Sequence, residues 1–237
     1  MNRLFWIGIA ALTITFGSCH KGVFDSGVWV TEERVISENY HGILIEDGID
    51  VVIIADAPYS LKIEGGENKL PFIETKVVDG HLVLSEKRNH IRDDKQVRVL
   101  ISQSHLSDIS IEGSGDITGD DIWASNLEIN IGGSGNVDLG VDVEGTVEVD
   151  IEGSGDVRLT GSAAQVNFDI DGSGDIDTRQ IESAEAFVFI NGSGDVRLTT
   201  TEFLHVEIDG SGDVMYWGSP NSVEVDIDGS GDLIDME

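Results

Sequence analysis

Ile208-Asp209-Gly210-Ser211-Gly212-Asp213-Val214 is one of seven copies of a single phrase. Gly-Ser-Gly begins at residues 113, 133, 153, 172, 192, 210 and 229, in steps of 18 to 20 residues. Asp follows it in every copy but the second, where Asn136 stands. Two residues before the first Gly there is always Ile, from Ile111 to Ile227. Four before and four after it stand Ile, Val, Leu or Phe, with mostly polar residues between. Apolar side chains at every second place, most of them β-branched, predict strands with one buried face. A unit of about 19 residues cannot enclose its own core, so it must stack on copies of itself. The expected fold is all-β: a single-stranded, right-handed β-helix or solenoid of Gly-Ser-Gly-Asp repeats. Roughly nine or ten coils at strand spacing would make it about 45–50 Å long.

Glycine is expected at each corner for its access to positive φ. Asp or Asn after the corner is expected to accept backbone N–H bonds, as in Asx turns. The register carries its own test. Five residues after the first Gly, successive coils place Asp138, Arg158, Asp177 and Arg197. Stacked at strand spacing, these alternate in sign, as cross-strand neighbours prefer.

Working outward, residues 28–102 also alternate, as in Ile43-Leu44-Ile45 and Leu82-Val83-Leu84. Ile45-Glu46-Asp47-Gly48-Ile49-Asp50-Val51 looks like a worn copy of the repeat. Residues 28–102 therefore read as degenerate first coils that continue into regular ones over 103–237, with a charged loop at 86–95.

The chain has 237 residues, 14 Lys and Arg against 45 Asp and Glu, and a net charge of −31. Such a balance excludes nucleic acid as a partner and docking on anionic lipid by surface charge. Residues 101–237 hold only three basic side chains, Arg158, Arg179 and Arg197. A single cysteine excludes an intrachain disulfide framework and a multi-Cys zinc site.

That cysteine has a place of its own. Met1-Asn2-Arg3 is followed by an apolar run from Leu4 to Phe16, too short to span a bilayer, and then by Gly17-Ser18-Cys19. A positive start, a short apolar stretch and small residues mark a secretory signal. The ending resembles the bacterial lipobox, with Phe16 in place of the usual Leu. The resemblance implies a signal peptide over 1–18, cleavage before Cys19 and a lipid on Cys19, with 19–27 as a lipidated tether. His20 in place of Asp, by analogy with enteric lipoprotein sorting, favours the outer membrane.

Gly48-Ile49-Asp50 with Val51-Val52-Ile53, Gly80-His81-Leu82-Val83-Leu84 and the serial Gly-Ser-Gly-Asp copies together resemble the auto-transporter adhesins of the head GIN domain type. Asp50 stands where that family is expected to carry Asn. The resemblance covers about 30–237. It implies a β-helical domain on exported, often lipid-anchored proteins, and brings no active site with it.

Three features are candidates for function. Carboxylates line the corners, among them Glu112, Glu152, Asp171, Asp209 and Asp228 before them and the Asp row after them. Charges about 4.8 Å apart repel, and calcium between coils would relieve this. The plainer reading is corner capping plus a solvated acidic face, and no metal, cofactor or catalytic residue is assigned. The scattered histidines, with no HExxH or nucleophile elbow, speak against an enzyme. An enzyme acting on envelope or host polysaccharide is the alternative reading. Lastly, Ala186, Val188 and Ile190 take the inward phase, so Phe187 and Phe189 point outward where other coils carry Glu148, Asp150, Glu224 and Asp226. Exposed apolar clusters mark contact sites. The reading of function is a non-catalytic binding or structural module of the cell envelope, adhesive in character. Its partners are the membrane through the lipid and a protein or glycan ligand at Phe187 and Phe189, with a second copy of the chain as a further candidate.

Overall fold

The computed structural model describes residues 27–54, 60–87 and 97–237. Cys19, the signal segment and most of the charged loop lie outside the described residues. The first strands are β1 (Trp29–Arg34), β2 (Gly42–Ile45), β3 (Ile49–Ile53), β4 (Leu61–Gly66), β5 (Ile73–Val78), β6 (His81–Glu86) and β7 (Val97–Ile101). In the repeats, β8 (Asp108–Ile111), β10 (Leu127–Ile131), β12 (Thr146–Ile151) and β14 (Gln165–Ile170) approach a corner, as does β18 (Ser222–Gly229). Leaving the corners are β9 (Ile117–Ala124), β11 (Val137–Val143), β13 (Val157–Ser162), β17 (Val214–Trp217) and β19 (Leu233–Asp235). β15 (Ile176–Gly192) and β16 (Val196–Gly210) run unbroken from one corner to the next.

The repeats form a β-solenoid of about six turns rather than the nine or ten coils expected, because residues 28–102 do not add coils in chain order. Each approaching strand pairs in parallel with its counterpart in the next coil, so that Ile111, Ile131, Ile151, Ile170, Ile190, Ile208 and Ile227 form one row. Departing strands stack likewise and place Asp138, Arg158, Asp177 and Arg197 in a second row, in the expected register. The closest ion pairs are not along that row. Asp177 binds Arg179 at 2.6 Å, and Arg197 reaches Asp175 and Asp195 at 3.4 Å. The Ile row is buried from Ile111 to Ile208, each side chain contributing about 1.5–3 kcal/mol by leaving water. Ile227 is 38% exposed, because among the described residues no further coil stacks on β18.

Two expectations about the corner need correction. Among the Gly-Ser-Gly glycines only Gly210 and Gly229 have positive φ in the left-handed range, at 155° and 152°. Glycine is needed for close approach instead. A Cβ on Gly133 would land on the carbonyl oxygen of Gly113, and one on Gly135 on that of Gly115, with the same clash in each later coil. This proximity lets the Ser N–H of one coil donate to the Gly carbonyl of the coil before it, as Ser134 does to Gly113 at 3.0 Å. The Asp row likewise acts between coils rather than within a turn. Asp116 Oδ1 accepts from the Asn136 N–H at 2.8 Å, Asn136 Oδ1 from Asp156 at 2.9 Å, and Asp156 Oδ1 from Asp175 at 2.9 Å. The ladder runs on through Asp195 and Asp213 to the N–H of Asp232.

Residues 28–102 do not stack in chain order. β2 and β3 pair with β8 and β9 on one side and with β6 and β7 on the other, all in parallel. The later strands thus lie outside the earlier ones. β4 then pairs antiparallel with β7 and β1, and β5 antiparallel with β6, so the end of the solenoid is covered by strands of reversed direction. The β5–β6 hairpin turns at Asp79 and Gly80, with φ of 50° and 83°, the Asp-Gly signature of a tight hairpin. Gly42 lies between His81 and Asp108 in the register. Having no side chain, it lets His81 Nε2 reach across its layer to Asp108 Oδ1 at 3.0 Å.

Candidate interaction surface

Alternation along the approaching strands sends three rows of side chains outward. They pass through Glu148 and Asp150 in β12 and Glu152 just after it, and through Phe187, Phe189 and Asn191 in β15. Phe189 is 37% exposed and Phe187 half-buried, while Ala186, Val188 and Ile190 face the core, so the outward phase of the two rings holds.

The structure adds two rings to them. Phe187 packs on Phe203 at 5.5 Å between centroids, and His205 lies 6.2 Å from Phe187 and 5.6 Å from Phe189. His205 shares the row of Phe187 one coil on, and Phe203 lies opposite Glu185 beside it. Coil-by-coil alignment of the sequence shows the first of these neighbours. It shows the second as well, because β15 and β16 hold one register from Glu185 to Gly192 and their irregularity falls before it. His205 Nε2 lies 3.0 Å from Glu207 Oε1 and Nδ1 3.5 Å from Glu224 Oε2. Beside the rings is a shallow recess of about 330 Å³, bounded by Phe187, Phe189, Glu148, Asp150 and Asp169. A groove of about 570 Å³ lines the same face toward the N-terminal coils, past Asp150 and Glu152 to Glu112. Partial burial raises the Asp150 carboxyl above its ordinary range, and Glu148, Asp169, Glu128 and Glu152 push it further the same way.

The departing face differs. Arg158, Arg179, Thr160, Gln180 and Trp217 surround a second recess of about 350 Å³, with the Arg179 guanidinium 5.5 Å above the Trp217 ring. Trp217 is therefore not part of the Phe187 patch. Among the described residues, no group of three or more His, Cys, Asp or Glu is placed to hold a metal ion. The Asp row directs carboxylate oxygens at backbone N–H groups of the next coil.

A parallel solenoid held by glycine corners and an inter-coil Asp ladder, with one acidic face broken by aromatics, defines a class of repetitive β-protein. The chain belongs to the family described as "Putative auto-transporter adhesin, head GIN domain", whose model matches residues 39–220. It is similar in structure to a putative adhesin of Bacteroides fragilis, with a TM-score of 0.84 and 26% identity, covering 91% of this chain and 100% of that one. A putative lipid binding protein of Parabacteroides distasonis (TM-score 0.71, 21% identity) and a putative adhesin of Parabacteroides merdae (0.68, 20%) share the fold. Each match covers 92% of this chain and 100% of the other. No curated protein matches the chain.

Proposed function

We propose that the protein is a lipid-anchored adhesive module of the cell envelope, held at the outer membrane through Cys19 and acting by binding rather than catalysis. The observation that carries this reading is the aromatic island of Phe187, Phe189 and Phe203 on a face otherwise polar and rich in carboxylates. Two Phe rings could bury about 300 Å² or more. At about 25 cal/mol per Å² that favours a contact by several kcal/mol before association costs. The adhesin family and the Bacteroides fragilis relative support the same reading. The experiment is capture of envelope extracts and glycan arrays by the full chain, with released products assayed in parallel. Binding without product, reduced in the Phe187→Ser/Phe189→Ser variant, is expected. Turnover of a bound glycan would overturn the reading. For the anchor, Cys19→Ala should free the protein from the membrane fraction and abolish labelling by a palmitate probe; retention would contradict it.

A further inference from the structure

The contact point lies in a field of one sign. Within residues 103–237 the approaching strands carry no Lys or Arg, and Arg158, Arg179 and Arg197 all lie on departing segments. Around the rings, the register places Asp150 and Asp169 in the row of Phe189 on one side and Glu207 on the other. In the row of Phe187, Asn167 and His205 are its neighbours, and Glu148 and Glu224 lie one coil beyond them. His205 is the titratable base at the rings, and its two nitrogens face Glu207 and Glu224.

We propose that this patch docks a basic polypeptide segment in which Lys or Arg alternates with large apolar residues. The proposal rests on the adhesive reading above and names its partner class. Apolar side chains would cover Phe187 and Phe189 while cations meet the flanking carboxylates, the complementarity that sets specificity and on-rate. Cations over the ring faces add to it. The raised Asp150 carboxyl fits, since its neighbours crowd negative charge there and an incoming cation relieves it. Phe187 and Phe189 are two apart on one strand, so their spacing of about 6.6–6.8 Å matches the same-side spacing of an extended ligand. A second copy is a poor occupant, because it brings another chain of net charge −31 to an acidic face.

The test is fluorescence anisotropy with the full chain and three short labelled peptides: alternating Lys and Phe, Glu and Phe, and Lys and Ser. The Lys–Phe peptide should bind, and the other two at least about tenfold more weakly. Raising salt to about 0.3 M should weaken the Lys–Phe complex. Phe187→Ser/Phe189→Ser should abolish binding. Glu148→Gln/Asp150→Asn, which leaves the rings in place, should lower affinity and flatten the salt dependence. Equal binding of the Glu–Phe peptide, undiminished binding by the Phe variant, or no binding of the Lys–Phe peptide to the parent would each overturn the proposal. If the parent ignores the Lys–Phe peptide while the Phe variant still loses envelope capture, the adhesive reading stands and the basic partner is wrong. If capture too is unchanged, both fall. If the Phe variant loses only self-association, the patch is an interface between copies and the proposal fails.

Discussion

Gly132 and Gly133 are chain neighbours with opposite surroundings. A Cβ on Gly132 has its nearest neighbour, the Ile111 carbonyl oxygen, at 4.0 Å, whereas one on Gly133 would overlap the Gly113 carbonyl. Gly133→Ala should therefore force two coils apart and cost about 1–3 kcal/mol or more. Gly132→Ala should change stability by less than about 0.5 kcal/mol. Urea unfolding of the two variants compares them directly, and equal losses would contradict the close-approach explanation. The Asp ladder makes a similar contrast. Asp156→Ala would remove the acceptor of the Asp175 N–H, at about 1 kcal/mol. Asp156→Asn should be nearly silent, because Asn136 already fills the same role one coil earlier. A large loss in the Asn variant would show that charge, not the accepted bond, is what the ladder needs.

Strands bring these residues into rows, and the rows divide core from surface. Ile170 is fully buried in β14, so Ile170→Asp would place an unpaired carboxylate in the core and prevent cooperative folding. Phe187→Ser/Phe189→Ser, on the outward rows of β15, should leave the far-UV spectrum and the urea midpoint close to those of the parent. Unfolding of that double variant would show that the rings are structural. The two ends of the stack also differ. β1, β4 and β5 cover one end, whereas among the described residues β18 pairs only with β16 and leaves Val223, Val225 and Ile227 exposed. Amide hydrogens of β18 should exchange faster than those of β14, which lies between β12 and β15. Equal protection would mean that another surface covers the last coil.

Charge acts on the molecule as a whole. Burial raises the carboxyls of Asp50, Glu86 and Asp150, and neighbouring acids push each further in the same direction. An acid whose folded pKa is raised binds its proton more tightly in the native state. Stability therefore falls as pH rises from the ordinary carboxylate range, about pH 4, through the raised folded value. Asp177 acts oppositely. Its hydrogen bond to Arg179 holds its carboxyl below the usual range, so its contribution is present above pH about 4 and lost in stronger acid. The two effects place the stability maximum on the acidic side of neutral. Urea midpoints should be higher there than at pH 8, and added salt should narrow the difference by screening the acidic rows. A midpoint that rises steadily from pH 5 to pH 8 would contradict this.

The seven Gly-Ser-Gly copies and the two-residue alternation determine the solenoid, its register and the outward phase of Phe187 and Phe189, because each is local periodicity repeated along one axis. The reason for the glycines was not legible, since the atom that forbids a side chain on Gly133 belongs to a carbonyl twenty residues away. The order of the first layers was hidden for a related reason. β2 and β6 carry similar apolar alternation, and only tertiary pairing decides that β6 lies outside β2 and is bridged across Gly42 to Asp108. The full aromatic patch also belongs to the tertiary structure. Alignment on the corners puts Phe203 opposite Glu185, but only side-chain packing turns its ring onto Phe187 in the row beside it, and parallel stacking collects the carboxylates of several coils around them on one face.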